Sequence, residues 1–83
     1  MITKTISINS MEKIKTFVNI MNQFNGRFEL VSGCNAVDAK SIMGIFSLDI
    51  SRPVYLYIYN EETADSVSQA IASFEVQALQ QSL

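Results

Sequence analysis

Histidine is missing from this sequence altogether, which removes the commonest general base and the commonest metal ligand in one step. Cysteine occurs once, at Cys34, so neither an intramolecular disulfide nor a multi-cysteine metal site is expected. Cys34 follows Gly33 at a turn with no base to pair with it, and a catalytic thiol is not expected. The carboxylates Glu29, Asp38, Asp49, Glu61, Glu62 and Asp65 are scattered, without the spacing of a metal site. Basic residues are few and dispersed: Lys4, Lys13, Lys15, Arg27, Lys40 and Arg52, within a net charge of −2. That excludes a phosphate-backbone footprint, so nucleic acid is not an expected partner. No apolar run approaches the roughly 20 residues that cross a bilayer. No basic, apolar and small-residue leader opens the chain, and a cytoplasmic protein with no membrane partner is expected.

What is present is the composition of a packed domain. The 83 residues are 48% hydrophobic and 17% charged, globular rather than disordered. They make one domain, 1–83, with a core that buries roughly 60–65% of the unfolded chain's surface. Linkers, repeats and low-complexity segments are absent.

Met1–Ile8 alternates, with Ile2, Ile6 and Ile8 on one side and Thr3, Thr5 and Ser7 on the other, and reads as a strand that Lys4 interrupts. Asn9-Ser10-Met11-Glu12 has the form of a capping box with Asn9 as the N-cap. The helix that follows is expected to reach about Phe24, burying Met11, Ile14, Val18 and Met21 with Phe17 and Phe24 beside them, and to stop at Asn25-Gly26. Arg27–Ser32 alternates again, Ser32-Gly33 turns, and Cys34–Asp38 returns as a second hairpin strand. A short helix capped by Asp38 or Ser41 comes next.

Asp49–Pro53 connects to the clearest strand, Val54–Tyr59, where Val54, Leu56 and Ile58 face one way and Tyr55, Tyr57 and Tyr59 the other. Asn60 caps a last helix, with Glu61 and Glu62 in its first turn and Val67, Ile71, Phe74 and Ala78 on its buried stripe. The order βαββαβα, with alternating strands and one apolar stripe per helix, defines an α+β open-faced sandwich with all helices on one face of the sheet.

The middle of the chain, Ala39-Lys40-Ser41-Ile42-Met43-Gly44-Ile45-Phe46-Ser47-Leu48, carries more apolar surface than a short helix can bury, so part of it must be core and part presented. With Val37-Asp38 before it, this stretch resembles the segment around the regulatory serine of HPr, the phosphocarrier of the bacterial sugar phosphotransferase system. Lys40-Ser41-Ile42-Met43-Gly44 and Ser47-Leu48 carry the resemblance, and length and element order extend it over nearly the whole chain. The resemblance implies a four-stranded antiparallel sheet of order 1-4-2-3.

HPr proteins carry a phosphoryl group on a histidine at the start of the first helix, in a His-Ala-Arg-Pro context. Gapless alignment back from Ser41 puts Ser10 at the histidine, Glu12 at the arginine and Lys13 at the proline. A serine phosphate ester passes its group on far less readily than a phosphoramidate, and Glu12 opposes an incoming phosphoryl group where the family has a positive charge. Phosphohistidine carriage is therefore expected to be absent, with no catalytic residue, no cofactor and no enzymatic activity. Ser10 itself reads as a helix cap or, alternatively, as an anion-binding hydroxyl.

Ser41 corresponds to the serine that a dedicated kinase phosphorylates in the family; it also reads simply as a cap. Lys40, Ile42, Met43 and Phe46 resemble the surface through which HPr proteins dock, while Ile45 and Leu48 read as core. A catabolite-repression paralogue in the family also lacks the active histidine and keeps the serine. The expectation is a regulatory, protein-binding module whose partners are HPr kinase or a transcriptional regulator. The alternatives are a phosphocarrier acting through a residue other than histidine, or a structural or oligomerising domain using the tyrosine face. That face reads most simply as cross-strand packing of the tyrosines against Thr3, Thr5 and Ser7.

Overall fold

A computed structural model describes residues 1–76. Its element order is β1 (Ile2–Ile6), α1 (Met11–Met21), β2 (Phe28–Ser32), β3 (Asn35–Asp38), α2 (Ile42–Phe46), β4 (Val54–Ile58) and α3 (Glu61–Ala70), followed by a 3-10 turn at Ala72–Phe74. The strands form one antiparallel sheet of order β1-β4-β2-β3, the arrangement that the HPr resemblance implies.

Register follows from the alternation. Ile58 lies between Ile2 and Phe28, and Leu56 between Lys4 and Leu30, so the apolar rows coincide on one face. That face meets Ile14, Phe17, Val18 and Met21 of α1 and Ala64, Val67, Ile71 and Phe74 near the C-terminal end, all in one buried cluster. The Phe17 and Phe74 rings meet edge to face, centroids 5.9 Å apart at 88°, a favoured geometry for paired quadrupoles. Lys4 reaches out of the inward row to Glu75 at 3.6 Å. On the other face Tyr57 sits between Thr3 and Glu29, and Tyr55 between Thr5 and Val31, which agrees with cross-strand packing of the tyrosine row.

Several boundaries differ from the sequence reading. β1 stops at Ile6, and Ile8 is buried beyond it. α1 is capped by Ser10, not Asn9: the Ser10 hydroxyl accepts the Lys13 N–H at 3.2 Å, while the Asn9 amide oxygen accepts from the Lys13 ammonium. α1 ends at Met21 because the turn beyond it tightens: Gln23 N–H donates to Ile20 and Phe24 N–H to Met21, each three residues back. Gly26, at φ 124, bends the loop after that turn rather than closing the helix. Met11 is not on the buried stripe; at the first helical position it is 56% exposed.

The β2–β3 turn is Gly33-Cys34, one residue later than expected. Gly33 has φ 61 and Cys34 a negative φ, the pattern of a II′ turn whose twist suits a two-residue hairpin. α3 closes at Ala70 and passes into the 3-10 turn, which still buries Phe74. Beyond it Ser7 N–H donates to Phe74 and Val76 N–H to Thr5, at 2.8 and 2.9 Å, so Phe74–Val76 lies along the outer edge of β1. The stripe position Ala78 lies outside the described residues.

Candidate functional site

Asp38 ends β3 and builds the entrance to α2. Its carboxylate accepts the Lys40 N–H at 2.9 Å and its carbonyl accepts the Ser41 N–H at 3.0 Å, an Asx turn that fixes the chain direction locally. Ala39 between them is fully buried, its N–H donating to Phe28. Ser41 is then the N-cap, its hydroxyl accepting the Gly44 N–H at 3.0 Å. Asp38, the other candidate cap, holds the preceding turn instead.

Gly44 sits close against its neighbours. A Cβ at this position would lie 3.2 Å from both the Ser41 hydroxyl oxygen and the Val37 Cβ. At the far end, the Ser47 hydroxyl donates to the Gly44 carbonyl at 2.6 Å.

Helical geometry divides the apolar side chains of α2. Residues 43 and 45 lie about 200° apart around the axis, and residue 46 falls between 42 and 43. Ile45 is accordingly fully buried, as is most of Leu48, whereas Met43 is 85%, Phe46 45% and Ile42 38% exposed. Ile42, Met43 and Phe46 thus form one outward patch beside the Ser41 cap, and α2 also contacts α1.

Lys40 is placed differently. Its ammonium donates to the Phe24 carbonyl at 2.7 Å and lies 5.4 Å from the centre of the Phe28 ring. It is not part of the outward apolar patch. Ser10, at the family's histidine position, is the α1 cap with Met11 and Glu12 exposed beside it.

Other chemistry-bearing groups are engaged elsewhere. Glu29 accepts from the Tyr59 phenol at 2.6 Å and from Arg27 at 3.0 Å. The phenol foremost, and then the guanidinium, hold its carboxyl below the usual range. The same hydrogen bond raises Tyr59, and Glu29 raises Arg27. Sequence reading missed this cluster because it depends on the β2–β4 register; alternation alone puts Glu29 and Tyr59 on a common face without making them neighbours. An open cavity of about 370 Å³ beside it is lined by Gly26, Arg27, Glu29, Asp38 and Lys40, whose charged ends are committed to partners in the protein. Cys34 is exposed. Among the described residues, no group of three His, Cys, Asp or Glu residues could hold a metal ion, and no helix is long and apolar enough to cross a membrane.

A four-stranded antiparallel sheet of this order, covered on one side by helices and carrying a serine-capped apolar helix after β3, defines a class of small α+β open-faced sandwiches. The family model described as PTS HPr component phosphorylation site matches residues 11–76, and the chain belongs to the HPr family of the phosphotransferase system. That match begins one residue after Ser10. The fold is similar to the crystal structure of HPr-C-His from Thermoanaerobacter tengcongensis, with a TM-score of 0.75 and 26% identity over 88% of this chain and 89% of that one. No curated protein matches in sequence. Proteins of this family interact with other proteins of the phosphotransferase system.

Proposed function

We propose that this chain is a regulatory, protein-binding member of the HPr family, one that docks cytoplasmic partners through Ile42, Met43 and Phe46 and has no enzymatic or phosphohistidine-carrying role. The observation that carries the reading is the 85% exposure of Met43, with Phe46 and Ile42 beside it, on a helix that already buries Ile45. Exposed large apolar groups gathered on one rigid element mark an interaction surface, and an unbranched thioether adapts to differently shaped partners.

The first helix supports the negative half of the reading. With no histidine in the sequence, no phosphoramidate can form on an imidazole. Ser10 is occupied as a cap, and Glu12 adds negative charge beside it. Ser41 is the regulated position under this reading: a phosphate there adds between one and two negative charges at the border of the patch, altering partner choice through charge. HPr kinase and a transcriptional regulator are the partners that the family resemblance supplies.

The test is to incubate the protein with enzyme I and labelled phosphoenolpyruvate, and separately with HPr kinase and ATP. The expected result is no acid-labile label from the first incubation, and acid-stable label from the second that disappears in Ser41→Ala. Acid-labile label that passes onward to a sugar transporter overturns the reading.

A further inference from the structure

We propose that Lys40 is a positioning residue for the docking helix and not one of its contacts. The geometry stands alone, and its functional consequence rests on the docking reading above. The Lys40 side chain bridges three segments: it belongs to the entrance of α2, its ammonium donates to the Phe24 carbonyl in the loop after α1 at 2.7 Å, and it lies over the ring of Phe28 at the start of β2.

Two features explain why a cation is placed there. The carbonyl of Phe24 lies in the loop three residues past the end of α1 and needs a donor. Lys40 supplies it from sixteen residues downstream. The aromatic face of Phe28, itself 2% exposed, then holds the ammonium at 5.4 Å, within the range of a cation–π contact.

Segment 38–41 is fastened by Ala39 N–H to Phe28, Lys40 N–H to the Asp38 carboxylate and Ser41 N–H to the Asp38 carbonyl. These bonds fix the backbone locally, and beside the direct packing of α1 on α2 the Lys40 side chain ties this entrance to the loop that follows α1. Together with that packing, it holds the outward patch in place relative to the first helix. A partner that reads both helices meets a preformed surface, so less ordering is required on binding.

Hydrogen exchange in the free protein tests the geometry without any partner. In Lys40→Met, which keeps the stem and removes the donor, amide protection of Gly44 and Ile45 should fall about tenfold while that of Leu56 and Ile58 stays unchanged. Lys40→Arg should restore it, since a guanidinium can reach the carbonyl and stack on the ring. Unchanged protection in Lys40→Met overturns the proposal. Should Lys40→Met fail to fold, the wild-type protein decides: a scalar coupling across the hydrogen bond between Lys40 Nζ and the Phe24 carbonyl carbon supports the proposal, and a freely rotating ammonium without one overturns it.

Phosphorylation of Ser41 by HPr kinase supplies the functional arm. A loss of rate in Lys40→Met that persists at about 0.5 M salt and is rescued by Lys40→Arg supports positioning, whereas a loss that salt abolishes makes Lys40 a charge contact. If the kinase leaves the wild-type protein unmodified, the docking reading fails on that partner, and exchange still decides the role of Lys40.

Discussion

The Tyr59 phenol donates to Oε1 of Glu29 at 2.6 Å, joining the residue just past β4 to β2. Arg27 takes the other carboxylate oxygen at 3.0 Å and lies 4.9 Å from the Tyr59 ring centre, so three side chains on the helix-free face of the sheet form a closed cluster. Its ionisation should appear at both ends of the pH scale. Glu29 is held below its ordinary 4.5 in the folded protein; its contribution is present above that value and is lost as pH falls through the lowered folded value. Tyr59 is raised above 10.0; its contribution is present below that value and is lost as pH rises through the raised one. Urea-unfolding midpoints of wild type and Tyr59→Phe should therefore differ most near neutrality and converge at both extremes. A constant difference across pH would contradict this account.

Phe17 is fully buried in the core, its ring edge-on to Phe74. Phe17→Ala should cost about 3–5 kcal/mol, a large share of the stability of so small a domain. Denaturant melts with unchanged m-value would register it.

Gly44→Ala sets two effects against each other. Alanine gains about 1 kcal/mol of helix propensity, but its Cβ would press at 3.2 Å on the Val37 Cβ and the Ser41 hydroxyl, and overpacking costs about 1–3 kcal/mol. The expected sum is a modest destabilisation. Gly44→Ala in a Val37→Ala background should be better tolerated, and a double-mutant cycle measures the coupling.

Ser10→Ala and Ser41→Ala each remove a side-chain cap and should cost about 1 kcal/mol each. Thermal melts should show both losses. Met43→Ser, by contrast, touches a residue 85% exposed and should change stability by less than about 0.5 kcal/mol while weakening partner binding.

The negative charge of Glu12 beside Ser10 sets an order among histidine variants. Ser10→His alone should accept phosphate from enzyme I poorly, because Glu12 remains beside it, and Ser10→His with Glu12→Arg should accept more. Label counted after acid treatment distinguishes the two; equal label in both would remove Glu12 from the explanation.

The sheet was legible because Val54, Leu56, Ile58 and their partners alternate cleanly, and the element order followed from that pattern with the helix stripes. Strand order needed the HPr resemblance, since periodicity carries no information about neighbours. Helix ends were least legible. Asn9 and Ser10 are both good caps, and only the three-dimensional course of the chain after the buried Ile8 selects Ser10. The end of α1 turned on i→i+3 bonds at Gln23 and Phe24, which leave no mark in sequence beside the stronger Asn25-Gly26 signal. The split of α2 into core and surface was half legible: spacing separates Ile45 from Met43, but the side that faces the sheet is a tertiary fact. The bonding of Lys40 to Phe24 and Phe28 leaves no mark in the sequence, because those residues lie far upstream.

The II′ hairpin leaves one further opening. Cys34, the sequence's sole thiol, stands exposed at its tip, four strand residues before the entrance to α2 and so about 13 Å along β3 from it. A maleimide dye attached there would report on the docking helix without any engineered residue and from outside the surface it monitors.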